Sequence, residues 1–378
     1  MNRIIFHIDF DYFYAQCEEI RAPELKTKPV AVCVYSDRGG DSGAIATANY
    51  MARKFGVKSG MPIRFAKKRL EERPDTVFLP TDFDYYSDMS EKAMKIIEKY
   101  ADVFEYVGKD EAYLDVSEKT EGSFEKAGHL AQQIKNTIRE KVKLTSSIGI
   151  SPNKLVSKIA SDFKKPDGLT IVPPEKVEAF LDPLKIRDIP GIGKKTEEKF
   201  SEMKLETISD LKKLDVFSLN QQFGRKGGAY IYNSARGIYD EPVTPRSPNI
   251  QYSKIVTLKK DSKDFDFLSE NLDELCKEVH EIIRNKDLMF KSIGIQFVQS
   301  DLSNKTKSRM LRNPTSSLDE LMKTAKQLLK EVLEDQTIDV RRLGVKVSEL
   351  SEMKGQSNID SYFWIIYEHI ILESWQKN

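Results

Sequence analysis

The chain has 378 residues, with 60 Lys+Arg against 59 Asp+Glu and a formal net charge of +1, long enough for several domains whose cores need no disulfide or metal staple. Its three cysteines, Cys17, Cys33 and Cys276, are widely spaced with no Cys-x-x-Cys pair, which argues against a disulfide scaffold or zinc ribbon and fits a reducing cytosol. The N-terminus has no apolar signal-peptide core and no stretch is apolar over ~18 residues, so a cytoplasmic protein without a membrane partner is expected.

In chain order, residues 3–10 (RIIFHIDF) read as a buried strand ending near Asp9. A helix over 12–20 follows, with Asp11 as its expected N-cap. KPVAVCVY at 28–35 is a second strand, GAIATA at 43–48 is small and apolar, and 49–56 is helical. Residues 85–100 form an amphipathic helix with Met89, Ala93, Ile96 and Ile97 on one side. Strands over 103–107 and 112–116 flank Gly108-Lys109-Asp110-Glu111. A helix over 122–141 and a strand over 145–150 come next, then Ser151-Pro152 as the expected cap and first-turn proline of a helix over 153–164. This mixture without strict alternation predicts an α+β layer fold. Residues 170–235 read as helices broken by glycines, and DEPVTPRSPN at 240–249 reads as a linker. The last unit has strand 251–259, helix 265–286, strands 291–299 and 307–313, helix 316–335 and strand 338–347, a β-α-β-β-α-β order.

The near-zero net charge conceals blocks. Residues 21–70 carry 11 Lys/Arg against 3 Asp/Glu, whereas residues 71–130 carry 7 against 16. A second basic stretch covers 291–312. Within the acidic block, Asp110 and Glu111 join Asp9 as three carboxylates without Cys or His partners, a donor set for hard cations such as Mg²⁺ or, equally, three separate surface acids. Because adjacent strand residues face opposite sides, Asp110 and Glu111 converge only if the chain bends, which Gly108 eases. Tyr50 and Arg53 share one helical face, and Lys165 precedes Pro166 at a helix end; these are candidate phosphate ligands or ordinary solvated groups. Asp188-Ile-Pro-Gly191-Ile-Gly193-Lys194-Lys195 reads as a helix-hairpin-helix turn whose N–H groups and lysines contact a nucleic-acid backbone. Phe223-Gly-Arg-Lys-Gly-Gly228 is a weaker glycine turn.

IDFDYFYAQCEE (8–19), ATANYMARKFGVKSGMP (46–62), DEAYLD (110–115), SIGISPNKLVSKIASDFKKPDG (147–168) and DIPGIGKK (188–195) together closely resemble Y-family DNA polymerases, nearest to the DinB-type polymerase IV enzymes of archaeal character. The resemblance runs from residue 1 to about 348. It implies a right-hand polymerase: palm at 1–19 and 78–167, small fingers at 20–77 and a helical thumb at 168–238. A linker at 239–249, an added little finger at 250–348 and a tail at 349–378 complete it. It implies template-directed addition of dNTPs to a primer 3′-OH at low fidelity, as in translesion synthesis and DNA repair, by a monomer that binds primer-template DNA. By motif position, Asp9, Asp110, Glu111 and the Phe10 carbonyl would hold two Mg²⁺ ions, with Mn²⁺ as a substitute. Tyr14 falls on the steric gate that excludes the ribose 2′-OH; Tyr50, Arg53 and Lys165 fall on the triphosphate positions with Tyr12 beside them; Ile45, Ala46 and Thr47 fall above the nascent base pair. A catalytically weak relative serving as a DNA-binding repair scaffold is the alternative, which the intact acids disfavour.

The family commonly has Ser-Ile before Asp-Glu-Ala-Tyr, whereas this chain has Gly108-Lys109. An inward Lys109 would compete with the metal; strand alternation is expected to send it away, so that Lys109→Ile leaves the Mg²⁺ requirement nearly unchanged. In the tail, Gln356, Ile359, Tyr362 and Phe363 resemble a sliding-clamp interaction peptide, with an apolar plug and a polar anchor. An apolar extension at 364–378 follows it.

Overall fold

The computed structural model describes residues 1–245, 248–334 and 339–353. Two compact units are present, one of residues 1–35 and 41–247, the other of residues 36–40 and 248 onward.

The first unit is organised on a five-stranded sheet. Its strands are β1 (Ile5–Phe10), β5 (Val103–Tyr106), β6 (Glu111–Asp115), β7 (Ser146–Ser151) and β8 (Leu169–Ile171), in the order β5-β6-β1-β7-β8. All neighbours are antiparallel except β7 and β8. Strand alternation divides β1 between two faces. Phe6, Ile8 and Phe10 enter a core with α4 (Phe83–Glu98) and α5 (Phe124–Val142), which supply Ala93, Ile97, Ala131 and Ile134. His7 and Asp9 therefore face the other side.

That other face carries α6 (Lys154–Phe163). Gly149 makes its close approach possible: a Cβ there would lie 2.0 Å from the Ser157 carbonyl oxygen. Gly149→Ala is expected to force the helix off the sheet and destabilise the protein by about 1–3 kcal/mol or more, read as a lowered midpoint in thermal unfolding.

Two local expectations are corrected. Asp11 does not cap α1 (Phe13–Arg21); Tyr12 occupies the cap position in a left-handed conformation, φ 38°. Asp11 is buried and accepts from Ser147 Oγ (2.7 Å), Thr145 Oγ1 (3.0 Å) and the Asp167 amide (2.9 Å). It fastens the start of α1 to the five-stranded sheet instead. Likewise Asn153, not Ser151, caps α6, because Ser151 is still in β7 and its hydroxyl binds the Asn153 carbonyl.

A smaller sheet has the order β3-β2-β4, from β2 (Val30–Tyr35), β3 (Gly43–Ala48) and β4 (Val77–Pro80). The short helices α2 (Tyr50–Lys54) and α3 (Ile63–Arg69) pack on it around Cys33, Ile45, Ala52 and Ile63. Asn49 caps α2 by accepting from the Ala52 amide. A helical region follows β8, with α7 (Val177–Leu181), α8 (Lys194–Glu202), α9 (Ile208–Leu211) and α10 (Val216–Ala235) around Leu181, Ile189, Phe200 and Leu211. The second glycine motif lies inside α10, where Gly224 kinks the helix at φ 74°. The proline-rich connection begins as packed chain: Val243 is buried against Ile5 and Tyr113, and the Thr244 amide donates to Glu105.

The second unit has the β-α-β-β-α-β order expected. Its antiparallel sheet, β11-β10-β12-β9, is formed by β9 (Gln251–Ser262), β10 (Leu288–Gln299), β11 (Asn304–Thr315) and β12 (Val340–Glu352). Helices α11 (Phe265–Arg284) and α12 (Leu318–Glu334) bury Leu272, Cys276, Leu321 and Leu328 against Ile293, Ile295, Leu343 and Val345 of the sheet. Strand β12 runs past the expected boundary at 348 to Glu352.

Candidate active site

A cavity of about 270 Å³ opens at the end of β1, lined by Asp9, Phe10, Tyr12, Phe13, Tyr14, Ala46, Thr47, Tyr50, Arg53, Ser59, Asp110 and Lys165. The sheet supplies the acids, the turn into α1 supplies the tyrosines, and β3 with α2 closes the opposite wall. Ile45 is buried in the small-sheet core rather than lining it. Phe13 and Ser59 are wall residues that the sequence reading did not single out.

Three tyrosine rings shape the cavity. Tyr12 meets Tyr50 edge-on at 5.3 Å and donates its hydroxyl to Glu19. Tyr14 stacks on Tyr86 at 4.5 Å with 15° between planes, and Tyr86 is buried with its hydroxyl donated to Glu18 at 2.6 Å. The Arg53 guanidinium sits 5.0 Å from the Tyr50 ring centre while its Nε donates to the Ala48 carbonyl. That anchor holds the planar donor fork in place for an anion.

Asp9 and Asp110 share the cavity, while Glu111 does not line it. Glu111 is the cross-strand partner of Asp9 in the β1–β6 register, but its carboxylate accepts from His7 Nε2 at 3.1 Å and from Lys158. Buried His7 completes the arrangement with its Nδ1 2.7 Å from Ser161 Oγ, whose hydroxyl donates to the Lys158 carbonyl. The His7 hydrogen bond, ahead of Lys158, holds the Glu111 carboxyl at about 2. Burial pushes the His7 pKa down to about 4, so its ring is neutral. Neither His7 nor Lys158 was singled out from the sequence. Among the described residues, no group of three His, Cys, Asp or Glu side chains stands close enough to hold a metal ion.

Asp9 is instead neutralised from within. Lys165 Nζ lies 2.7 Å from Asp9 and 2.7 Å from Asp162. Burial raises the Asp9 carboxyl to about 7 despite this ammonium. Burial opposes the charge on Lys165, but the two acids raise its pKa. Burial and then the Glu111 charge raise Asp110 as well. The Asp9 and Asp110 carboxylates on one cavity are oxygen donors of the kind a hard divalent cation takes.

Lys109 points away from the acids as expected, but it does so from the bend between β5 and β6 rather than by strand alternation: its ammonium donates to the Phe83 carbonyl at 3.2 Å and to Ser87 Oγ on α4. In the helical region, Gly191 adopts φ 84° and Gly193 precedes α8 without any side-chain cap. Buried Ile189 and Ile192 anchor that turn, and Tyr230 donates to the Pro190 carbonyl. Lys194 and Lys195 are exposed on the first turn of α8. The amides there are free for an anion. The tail residues Gln356, Ile359, Tyr362 and Phe363 lie outside the described residues.

The family description impB/mucB/samB matches residues 8–162, its C-terminal domain matches 250–361, and a DNA polymerase-iota thumb domain matches 187–239. DNA polymerase IV of Nitrosopumilus maritimus is 76% identical over 362 residues, 96% of this chain and 100% of that protein. The chain belongs to the DinB-type Y-family of DNA polymerases. DNA polymerase IV of Saccharolobus solfataricus is 37% identical, covering 95% of this chain and 99% of that one. Among solved structures, a Y-family chimera of Dbh and Dpo4 superposes with a TM-score of 0.85 at 36% identity, covering 92% of this chain and 99% of that one. An insertion ternary complex of Dbh polymerase gives 0.67 at the same identity and coverage. This chain is therefore a DNA-directed DNA polymerase of the translesion class, with the α+β right-hand fold. No helix among its described residues is long and apolar enough to cross a membrane.

Proposed function

We propose that the cavity at the end of β1 is where an incoming dNTP meets the primer 3′-OH, and that Asp9, Asp110, Glu111 and the Phe10 carbonyl hold two Mg²⁺ ions there, with Mn²⁺ as a substitute. The observation that carries this reading is the convergence of Asp9 and Asp110 with Tyr14, Tyr50, Arg53 and Lys165 around one cavity. Bound divalent ions would supply Lewis-acid polarisation of the α-phosphate and a lower pKa for the 3′-OH.

The chain's own residues bind and orient. Arg53, fixed by the Ala48 carbonyl, and the Tyr50 hydroxyl receive the triphosphate. Lys165 exchanges Asp9 for phosphate oxygens, so one ammonium serves both charge states of the site. Ala46 and Thr47 give the base-pair wall little bulk, which suits a damaged template base. Tyr12 holds Tyr50 edge-on, and Tyr14 bounds the sugar side. No side chain is assigned as a general base; positioning and charge neutralisation carry the transfer.

Duplex DNA is gripped through its phosphates by the turn at Gly191, Gly193, Lys194 and Lys195. The palm comprises 1–19 and 78–167, the fingers 20–77, the thumb 168–238, the linker 239–249 and the little finger 250 to the end of β12 at Glu352. A cytoplasmic monomer delivered to DNA by a sliding clamp through Gln356, Ile359, Tyr362 and Phe363 completes the reading. Clamp capture by the full chain is expected to disappear on combined Ile359→Ala and Phe363→Ala substitution; undiminished capture rejects the plug.

The decisive experiment is primer extension on damaged and undamaged templates with Mg²⁺ and with Mn²⁺. Extension past the lesion with either metal is expected, and none without metal. Extension that persists in excess chelator overturns the metal assignment.

A further inference from the structure

Lys109 lies in the bend between β5 and β6, directly before Asp110 and Glu111, and the proposed metal site makes no use of it. Its ammonium is spent on the first turn of α4. It donates to the Phe83 carbonyl and to Ser87 Oγ, and it lies 5.5 Å from the centre of the Phe83 ring. The Phe83 ring in turn meets Tyr14 edge-on at 6.1 Å. Tyr14 is thus braced on two sides, by Tyr86 at its face and by Phe83 at its edge.

The two braces differ in firmness. Tyr86 is fully buried and tied to Glu18, so it cannot give. Phe83 is 46% exposed and begins its helix, where few contacts restrain a ring. The strand side of the Lys109 tether is firm as well: the Phe10 amide donates to the Asp110 carbonyl, and the Val107 and Gly108 amides donate to the Glu111 carbonyl. A break in the tether therefore frees Phe83 and leaves Asp110 in place.

We propose that Lys109 is a positioning residue for sugar selection, holding Phe83 against Tyr14 so that the ring cannot yield to a ribose 2′-OH. This rests on the reading of Tyr14 as the gate. It assigns a specificity role to a position next to the metal acids without any contact to metal or nucleotide. The geometry explains why the cation is tolerated there, since its charge is consumed by a carbonyl, a hydroxyl and an aromatic face on α4.

The test is single-nucleotide insertion of matched deoxy- and ribonucleotides by the full-length enzyme, read as the ratio of their kcat/KM values. Lys109→Ile is expected to lower discrimination about two- to fivefold, chiefly through a lower KM for the ribonucleotide, with the Mg²⁺ concentration for half-maximal extension nearly unchanged. Ser87→Ala, which removes one acceptor and leaves the lysine, is expected to move the ratio in the same direction. Lys109→Arg restores it. In the Tyr14→Ala background, Lys109→Ile is expected to add nothing, because the tether acts through the Tyr14 ring. Wild-type discrimination in both Lys109→Ile and Ser87→Ala, with Tyr14→Ala permissive, overturns the tether alone. Unchanged discrimination in Tyr14→Ala overturns the gate and the tether with it. A severalfold fall in the metal requirement of Lys109→Ile overturns the tether in favour of Lys109 competing with the cation.

Discussion

Asp110→Ala and Glu111→Ala are each expected to reduce primer extension about 1,000-fold or more while leaving the affinity for primer-template DNA within about threefold. The asymmetry follows from what each group touches. Phosphate grip is assigned to the turn before α8, far along the chain from the acids, so the binding term survives. The two acids differ in what else they do. Asp110 lines the cavity and its backbone is fixed to Phe10, so its removal deletes charge with little structural cost. Glu111 also holds His7 and Lys158, so Glu111→Ala leaves a buried imidazole and an ammonium without their acceptor. Glu111→Gln separates the roles. It retains an oxygen for His7 and removes the charge, so a structural anchor would survive the change and a metal ligand would not. Extension is expected to fail in Glu111→Gln as in Glu111→Ala. A Gln variant that extends primers at near the parent rate would remove Glu111 from the metal site and leave it as the clamp on Lys158.

Much of this arrangement was legible because it rests on local period. The apolar run that ends at Asp9 became β1, and Met89, Ala93 and Ile97 did line the buried face of α4. The last unit declared its strand and helix order through the same alternation. What escaped depends on residues far apart in sequence. Asp11 looks like a cap because it precedes a helix, yet its partners Thr145 and Ser147 lie 134 and 136 residues away. The parking of Glu111 depends on His7, 104 residues away, and Lys158, 47 away. A faint signal did exist: Lys158, Ser161, Asp162 and Lys165 recur at helical spacing and then face the acids. Spacing alone cannot distinguish that polar stripe from a solvated face. Only the sheet register, with Gly149 admitting α6, turns it inward.

Tyr14→Ala is expected to admit ribonucleotides, lowering discrimination between deoxy- and ribonucleotides roughly 100-fold, while DNA synthesis continues at a reduced rate. The Tyr14 ring lines the cavity and is held flat on Tyr86, so it presents a fixed edge to the sugar side of the site. Burial, then the Asp110 charge, raises its hydroxyl pKa, so the phenol stays neutral and adds no charge beside the acids. On the proposed reading of Tyr14 as the gate, selection is steric: an extra hydroxyl on the sugar must displace a ring backed by buried protein, and close-packed walls yield little. Tyr14→Phe keeps the ring and is expected to keep most of the discrimination, which separates the ring from its hydroxyl. The measurement is insertion of a matched ribonucleotide and deoxyribonucleotide opposite one template base, with kcat and KM resolved for each. A Tyr14→Ala enzyme that still rejects ribonucleotides as the parent does would show that another wall of the cavity meets the sugar, and Tyr12, edge-on to Tyr50 across the same space, would be the next ring to remove.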